Sequence, residues 1–180
     1  MRTETITETY YTIKELSPEA QERAHEKYLR GGWHEYFWVD DGLDSVRAYA
    51  AFYGGELKDW SLSPYAHSYI TVKFDPEYIA DMPNLDPPEF LTGYCVDETF
   101  KMSLAGGSTH NTADPSFALA KLCGVGDVMR GEHMVQALER AVDACMESIL
   151  RDMECQDGLE YFIDHAEVNG CEFTEDGDLV

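Results

Sequence analysis

The chain has 180 residues, of which 35 are Asp or Glu and 13 are Lys or Arg, so its formal net charge is −22. Affinity for phosphate backbones and anionic lipids comes from Lys and Arg, so this excess predicts that the chain binds neither nucleic acid nor a membrane directly. A hydrophobic fraction of 44% with 12% aromatic residues predicts a folded chain rather than a disordered acidic one. We expect a single domain over residues 1–180.

The cysteines and the apolar runs indicate the compartment. The five cysteines are widely spaced and form no C-x-x-C pair, which disfavours a disulfide framework or a zinc ribbon. Residues 1–10 lack the apolar core of a signal peptide, and the longest apolar run, residues 48–53, is far shorter than the ~20 residues of a membrane span. We therefore expect a cytoplasmic protein.

The N-terminal region predicts a strand followed by a helix. Residues 5–13 are rich in β-branched and aromatic side chains, which is typical of a strand. Ser17 is expected to be the N-cap of a helix with Pro18 at its first position, and the helix should end at about Arg30, before the pair Gly31-Gly32.

A second helix and a hairpin follow. Asp40 or Asp41 is expected to cap the helix, and its apolar stripe consists of Leu43, Val46, Ala50 and Tyr53. Strands are predicted over residues 57–62 and 69–74, with residues 63–65 in the turn. The prolines of residues 76–88 favour a loop with short helical turns. A further strand is predicted over residues 100–104, and residues 106–111 are expected to form an irregular loop.

The C-terminal third predicts two amphipathic helices and a closing strand. The core face of the first helix should consist of Met134, Leu138, Ala141, Val142, Cys145 and Ile149. Its acidic face should carry Glu132, Glu139, Asp143, Glu147 and Glu154. The second helix should bury Leu159, Phe162, Ile163 and Ala166. It should end at Gly170, and residues 171–180 should form a strand around a turn at residues 175–177. We expect an α+β fold in which helices pack on a small antiparallel sheet and the N- and C-terminal strands pair.

More than half of the charge excess lies in this region, because residues 131–180 contain 14 acidic and two basic side chains. Carboxylates three or four residues apart on a helix lie roughly 5–6 Å from each other, which is close to the spacing of successive phosphates along one DNA strand. We therefore predict that acidic helical faces bind a partner protein. The predicted binding residues are Glu139, Asp143, Glu147, Asp152, Glu154, Asp157, Glu160, Asp164 and Glu167. The alternative is an ordinary solvated surface.

Catalytic and cofactor motifs do not stand out. The six histidines form neither H-x-x-x-H nor H-E-x-x-H, so we expect no metal site and no cofactor. Serine nucleophile motifs are missing. The alternative is an enzyme with a site near His110. A deep pocket that joins His110 to carboxylates would favour it. The aromatic residues near positions 33–38, 49–53 and 60 should mostly be core, and an exposed one beside an acidic rim would anchor a partner.

Both ends of the chain carry a resemblance to a known group. Residues 9–20, TYYTIKELSPEA, followed by Ala24, Tyr28 and a Trp-rich stretch, resemble the start of small phage-encoded proteins. These chains close with a segment similar to residues 169–177, NGCEFTEDG, and some carry an antitoxin-like label. The resemblance implies a phage or prophage origin and brings no catalytic residues. A strong acidic excess in such a protein is similar to that of inhibitors of host defence, including anti-CRISPR and anti-restriction proteins, several classes of which mimic DNA.

The sequence as a whole predicts a non-enzymatic inhibitor of a host defence complex, acting in the host cytoplasm. Its partner is expected to be a host protein with a basic, nucleic-acid-binding surface. The alternatives are an antitoxin-like protein that neutralises a basic toxin, and the enzyme described above.

Overall fold

The computed structural model describes residues 9–31, 36, 38–82, 95–104 and 127–180. Within these ranges the chain forms α-helices and two antiparallel two-stranded sheets, which confirms the α+β class. In chain order, the elements are β1 (Tyr11–Thr12), a 3-10 helix (Ile13–Glu15), α1 (Pro18–Arg30), α2 (Val39–Phe52), β2 (Glu56–Ser61), β3 (Tyr69–Lys73), α3 (Pro76–Ala80), α4 (Cys95–Leu104), α5 (Asp127–Gln156), α6 (Leu159–Val168) and β4 (Glu172–Phe173).

The chain divides into two compact units. The terminal unit contains the described residues up to 36 and from 154 onward, and the central unit contains those from 38 to 153. The last three residues of α5 therefore belong to the terminal unit. The single domain expected from the length stays a prediction.

The two ends of the chain pair in the terminal unit. β1 runs antiparallel to β4, with Tyr11 opposite Phe173, which confirms the predicted pairing. The first strand is shorter than expected, because the Glu15 carboxylate accepts the Thr12 backbone N–H at 2.8 Å and the chain turns into the 3-10 helix. Residues 5–8 of the predicted strand lie outside the described residues.

Helix α1 has the predicted bounds. The Ser17 hydroxyl accepts the Ala20 backbone N–H at 3.2 Å, which confirms the N-cap. The helix ends at Arg30, but Gly31 has a φ of −78°, so the end does not use the left-handed backbone that glycine permits.

Aromatic and small side chains form the core of the terminal unit. The Tyr28 ring lies 5.0 Å from the Phe162 ring, and the Phe162 ring lies 6.3 Å from that of Phe173. The buried residues of this core are Ile13, Leu16, Ala20, Ala24, Tyr28, Phe162, Ala166 and Phe173. Leu159 and Ile163 are partly buried against it, so the predicted apolar face of α6 is confirmed.

Helices α2, α4 and α5 pack together in the central unit. The Tyr49 ring stacks on the Phe100 ring at 4.2 Å, and the Cys145 thiol lies 3.7 Å from the Val96 carbonyl oxygen. A Cβ atom added to Gly42 would lie 2.9 Å from Ile149, so α2 and α5 approach closely at this glycine. The predicted core faces of α2 and α5 are buried.

Two predictions in the central unit are wrong. Residues 100–104 belong to α4 rather than to a strand, because Val96, Phe100 and Leu104 recur every four residues and are buried together on one helix face. Helix α2 is not capped by Asp40 or Asp41. Its N-cap is Trp38, and the two aspartates lie in the first turn, where the helix dipole stabilises negative charge.

The predicted hairpin is confirmed with small shifts. β2 pairs antiparallel with β3, and the register shifts between Leu57 and Asp59. The proline-rich segment contains the short helix α3, while its residues 83–88 lie outside the described ranges. The expected loop at residues 106–111 also lies outside them. In the described part of the chain no helix has the length and apolar character needed to cross a membrane.

We predict that Gly177→Ala lowers the free energy of unfolding more than Gly170→Ala does. Both glycines have left-handed backbone, with φ of +82° and +63°, but a Cβ atom at Gly177 would lie 2.4 Å from the Ala20 carbonyl oxygen, whereas nothing lies within 4 Å of one at Gly170. We expect losses of about 1–2 kcal/mol for Gly170→Ala and more for Gly177→Ala, measured by urea unfolding. Equal losses would contradict the contact at Ala20.

Candidate functional site

Helix α5 carries a row of carboxylates on the side opposite its buried face. Glu139, Asp143 and Glu147 are exposed and stand four residues apart, so each lies about 6 Å along the helix axis from the next. We call these three residues the acidic row. Glu132 is also exposed and continues the same side toward the start of the helix. The row confirms the predicted amphipathic division of α5.

Within the acidic row, the charge of Glu147 acts on its neighbour Asp143. Partial burial and, next, the charge of Glu147 raise the pKa of Asp143. Among the described residues, no Lys or Arg forms an ion pair with a member of the row. The Arg151 side chain donates to the Glu147 backbone oxygen at 3.4 Å, and no ion pair with the Glu147 carboxylate accompanies this bond. The row therefore keeps its negative charge, which a cation from another molecule would stabilise.

The remaining predicted residue of α5 within the central unit is not part of this array. Asp152 is exposed, but at 3.6 residues per turn it lies about 140° around the helix from Glu147. The structure therefore does not bring Asp152 together with the row.

The other five predicted residues lie in the terminal unit, where two of them have intramolecular partners. The Tyr36 hydroxyl donates a hydrogen bond to the Asp157 carboxylate at 3.1 Å, and the His25 ring lies 2.8 Å from the Asp157 backbone oxygen. Glu167 forms an ion pair with Lys14. Glu154, Glu160 and Asp164 are exposed.

The Lys14 ammonium couples the acidic side of α6 to the N-terminal segment. The hydrogen bond to Glu167, with the charges of Glu167 and Asp164, raises the pKa of Lys14. Lys14 therefore offsets part of the negative charge of α6. Sequence reasoning missed this pair and the Tyr36–Asp157 bond, because their partners are 153 and 121 residues apart and no local pattern links them.

Exposed aromatic side chains provide a second kind of surface. Tyr49 and Tyr53 are buried as expected, whereas Trp38 is 60% exposed and Trp60 is 40% exposed. Trp38 also has a φ of +70°, which is uncommon for a bulky residue. Sequence reasoning did not single out the exposed Tyr65 and Tyr69, although their position around a Ser-Pro turn between two predicted strands was a usable signal.

The enzyme alternative, with its site near His110, is not tested by the described residues. A cleft of about 560 Å³ lies in the terminal unit, and its lining includes Arg23, Lys27, Arg30, Phe173 and Leu179 but no histidine, cysteine or serine. Two of its cations are paired, since Lys27 lies 2.5 Å from the Asp178 carboxylate and Arg23 lies 3.7 Å from that of Asp176. No group of three metal-ligating side chains occurs in the part of the chain described here. His110 lies outside it.

No protein-family model, curated protein or solved structure matches the chain. Five of the residues that carry the resemblance to phage proteins meet in the terminal unit, where Ala20, Ala24 and Tyr28 share a core with Phe173 and Gly177 lies against Ala20. These residues have a packing role in the terminal unit, and the phage origin stays a prediction.

We predict that Asp143→Asn stabilises the protein at pH 7 by about 0.2–0.5 kcal/mol, the usual cost of a like-charge pair four residues apart on a helix. Because the pKa of Asp143 is raised on folding, the folded state binds more protons than the unfolded state between the two pKa values, and stability falls as pH rises through that window. The advantage of the variant should therefore disappear below pH 3.8, the ordinary pKa.

The measurement is urea unfolding of wild type and variant between pH 3 and pH 8. The control is Glu175→Gln, in the exposed C-terminal turn. It also removes one negative charge, but outside the row, and so measures the effect of lowering the net charge alone. An Asp143→Asn variant no more stable than this control at pH 7 would contradict the effect of Glu147 on Asp143.

Proposed function

We propose that the protein is a non-enzymatic inhibitor that binds a basic, nucleic-acid-binding surface of another protein and occupies it in place of DNA. The observation that carries this proposal is the acidic row, which is exposed on α5 and has no ion pair with a described cation. A surface with this charge attracts rows of Lys and Arg and speeds association at low salt.

The spacing of the row supports mimicry rather than general acidity. A groove that binds one DNA strand presents cations to phosphates at regular intervals, and the row presents carboxylates about every 6 Å along a straight axis. A cation between Asp143 and Glu147 would also relieve the repulsion that contributes to the raised pKa of Asp143. Binding should therefore favour the charged form of Asp143 and weaken at acidic pH.

The proposed class of target rests on the resemblance at the two chain ends. A phage-encoded protein that binds nucleic-acid-binding proteins fits an inhibitor of a host defence complex, of the anti-CRISPR or anti-restriction kind, acting in the host cytoplasm. The net charge of −22 supports the same choice of partner, because it repels nucleic acid and attracts the proteins that bind it.

The test is capture of partners from a bacterial lysate on immobilised protein at about 50 mM and about 300 mM salt. We expect a nucleic-acid-binding protein that is retained at the lower salt, released at the higher salt and displaced by excess duplex DNA. Replacing the acidic row by Lys should abolish retention, because the same surface would then repel the partner.

A matched control separates the row from net charge. Glu22, Glu98 and Glu175 are exposed and lie outside the row, so replacing them by Lys changes the net charge equally. Retention by this control and not by the row variant supports the proposal. Retention that survives the higher salt, or equal loss in both variants, would contradict it.

A further inference from the structure

The β2–β3 hairpin presents aromatic side chains at the surface of the central unit. Tyr65 is 74% exposed and Tyr69 is 37% exposed. The ring of His67, which is also exposed, lies 6.3 Å from that of Tyr69. Tyrosines anchor protein interfaces because they bury a large rigid area and lose little side-chain entropy. This surface is separate in chemistry from the acidic row.

Hydrogen bonds within the loop hold its conformation before any partner binds. The Ser63 backbone N–H donates to the Ser68 hydroxyl at 2.9 Å, and this hydroxyl donates to the Ser63 carbonyl oxygen at 2.9 Å. The Tyr65 backbone N–H donates to the Ser63 hydroxyl at 3.2 Å. A loop fixed in this way loses less entropy when its side chains contact a partner.

A carboxylate lies beside one of these rings in a fixed position. The Tyr69 hydroxyl donates to the Asp59 carboxylate at 3.0 Å, and the Trp60 backbone N–H donates to the other oxygen of that carboxylate at 2.9 Å. The hydrogen bond, and then the charge of Asp59, raise the pKa of Tyr69. The nearby Lys58 forms an ion pair with Glu56, so it is directed to a different carboxylate.

An aromatic ring with an adjacent carboxylate suits a guanidinium group. Arginine can stack its planar group on the ring and donate to the carboxylate at its edge, whereas the compact lysine ammonium makes only one of these contacts well. Nucleobases also stack on tyrosine, but the net charge of −22 repels their phosphates. The chemistry of the hairpin therefore selects a cationic protein side chain.

We propose that Asp59 and Tyr69 form a site that binds an arginine side chain of the basic partner, and that Tyr65, in the loop of the same hairpin, contacts a second arginine. The partner rests on the proposed function, but the site is a different surface from the acidic row. The acidic row would attract the Lys and the Arg side chains of the partner equally. The hairpin would bind Arg more tightly than Lys.

The test uses the complete protein and two defined probes, nona-arginine and nona-lysine, with affinities measured by calorimetry at low salt. We expect nona-arginine to bind more tightly, by about threefold for each tyrosine ring that it contacts. The double variant Tyr65→Ser with Tyr69→Leu should abolish this preference by lowering the affinity for nona-arginine more than the affinity for nona-lysine. Replacing the three residues of the acidic row by Gln should lower the affinity for both peptides by the same factor.

Control variants keep the rings while changing other features. Tyr65→Phe should retain the preference, and Tyr69→Phe should retain stacking while losing the bond that positions Asp59. Equal affinity of the wild type for the two peptides would overturn the hairpin site and leave the acidic row intact. An unchanged preference in the double variant would also overturn it. Binding of neither peptide would overturn this site and count against the proposed function as well.

Discussion

Burial of the apolar face of α5 is the interaction on which the acidic row depends. Cys145 and Ile149 lie against Val96 and Gly42, and the missing side chain of Gly42 lets the helices approach. Burying a large apolar side chain stabilises the fold by about 1.5–3 kcal/mol, whereas a like-charge pair four residues apart costs about 0.2–0.5 kcal/mol. The buried face therefore outweighs the repulsion and fixes the row toward solvent.

The two units differ in how they manage negative charge. In the terminal unit, Lys14 pairs with Glu167, and Lys27 lies 2.5 Å from Asp178. These pairs join α1 and the N-terminal segment to the C-terminal end of the chain. In the central unit the acidic row has no such ion pair among the described residues. Part of the negative charge of the terminal unit thus stabilises the fold through ion pairs. The negative charge of the row is available to a partner.

Local patterns predicted α1 and the core face of α5, and the misses have both local and long-range causes. The bounds of α1 followed from Ser17 and Pro18, and the core face of α5 followed from its periodicity, because both signals lie within one element. The sequence of residues 100–104 suggested a strand, yet its helical period becomes clear only when Val96 is included. Likewise, Asp157 and Glu167 belong to the predicted acidic array, but their partners Tyr36 and Lys14 are distant in sequence.

The salt dependence of binding to the captured partner tests the central claim most directly. If the row replaces phosphates, the affinity should fall as salt increases, and each row carboxylate changed to Gln should reduce the slope of log affinity against log salt, because one ion pair fewer is screened. If Gln replaces Glu139, Asp143 and Glu147 and the slope stays the same, the partner does not bind the row.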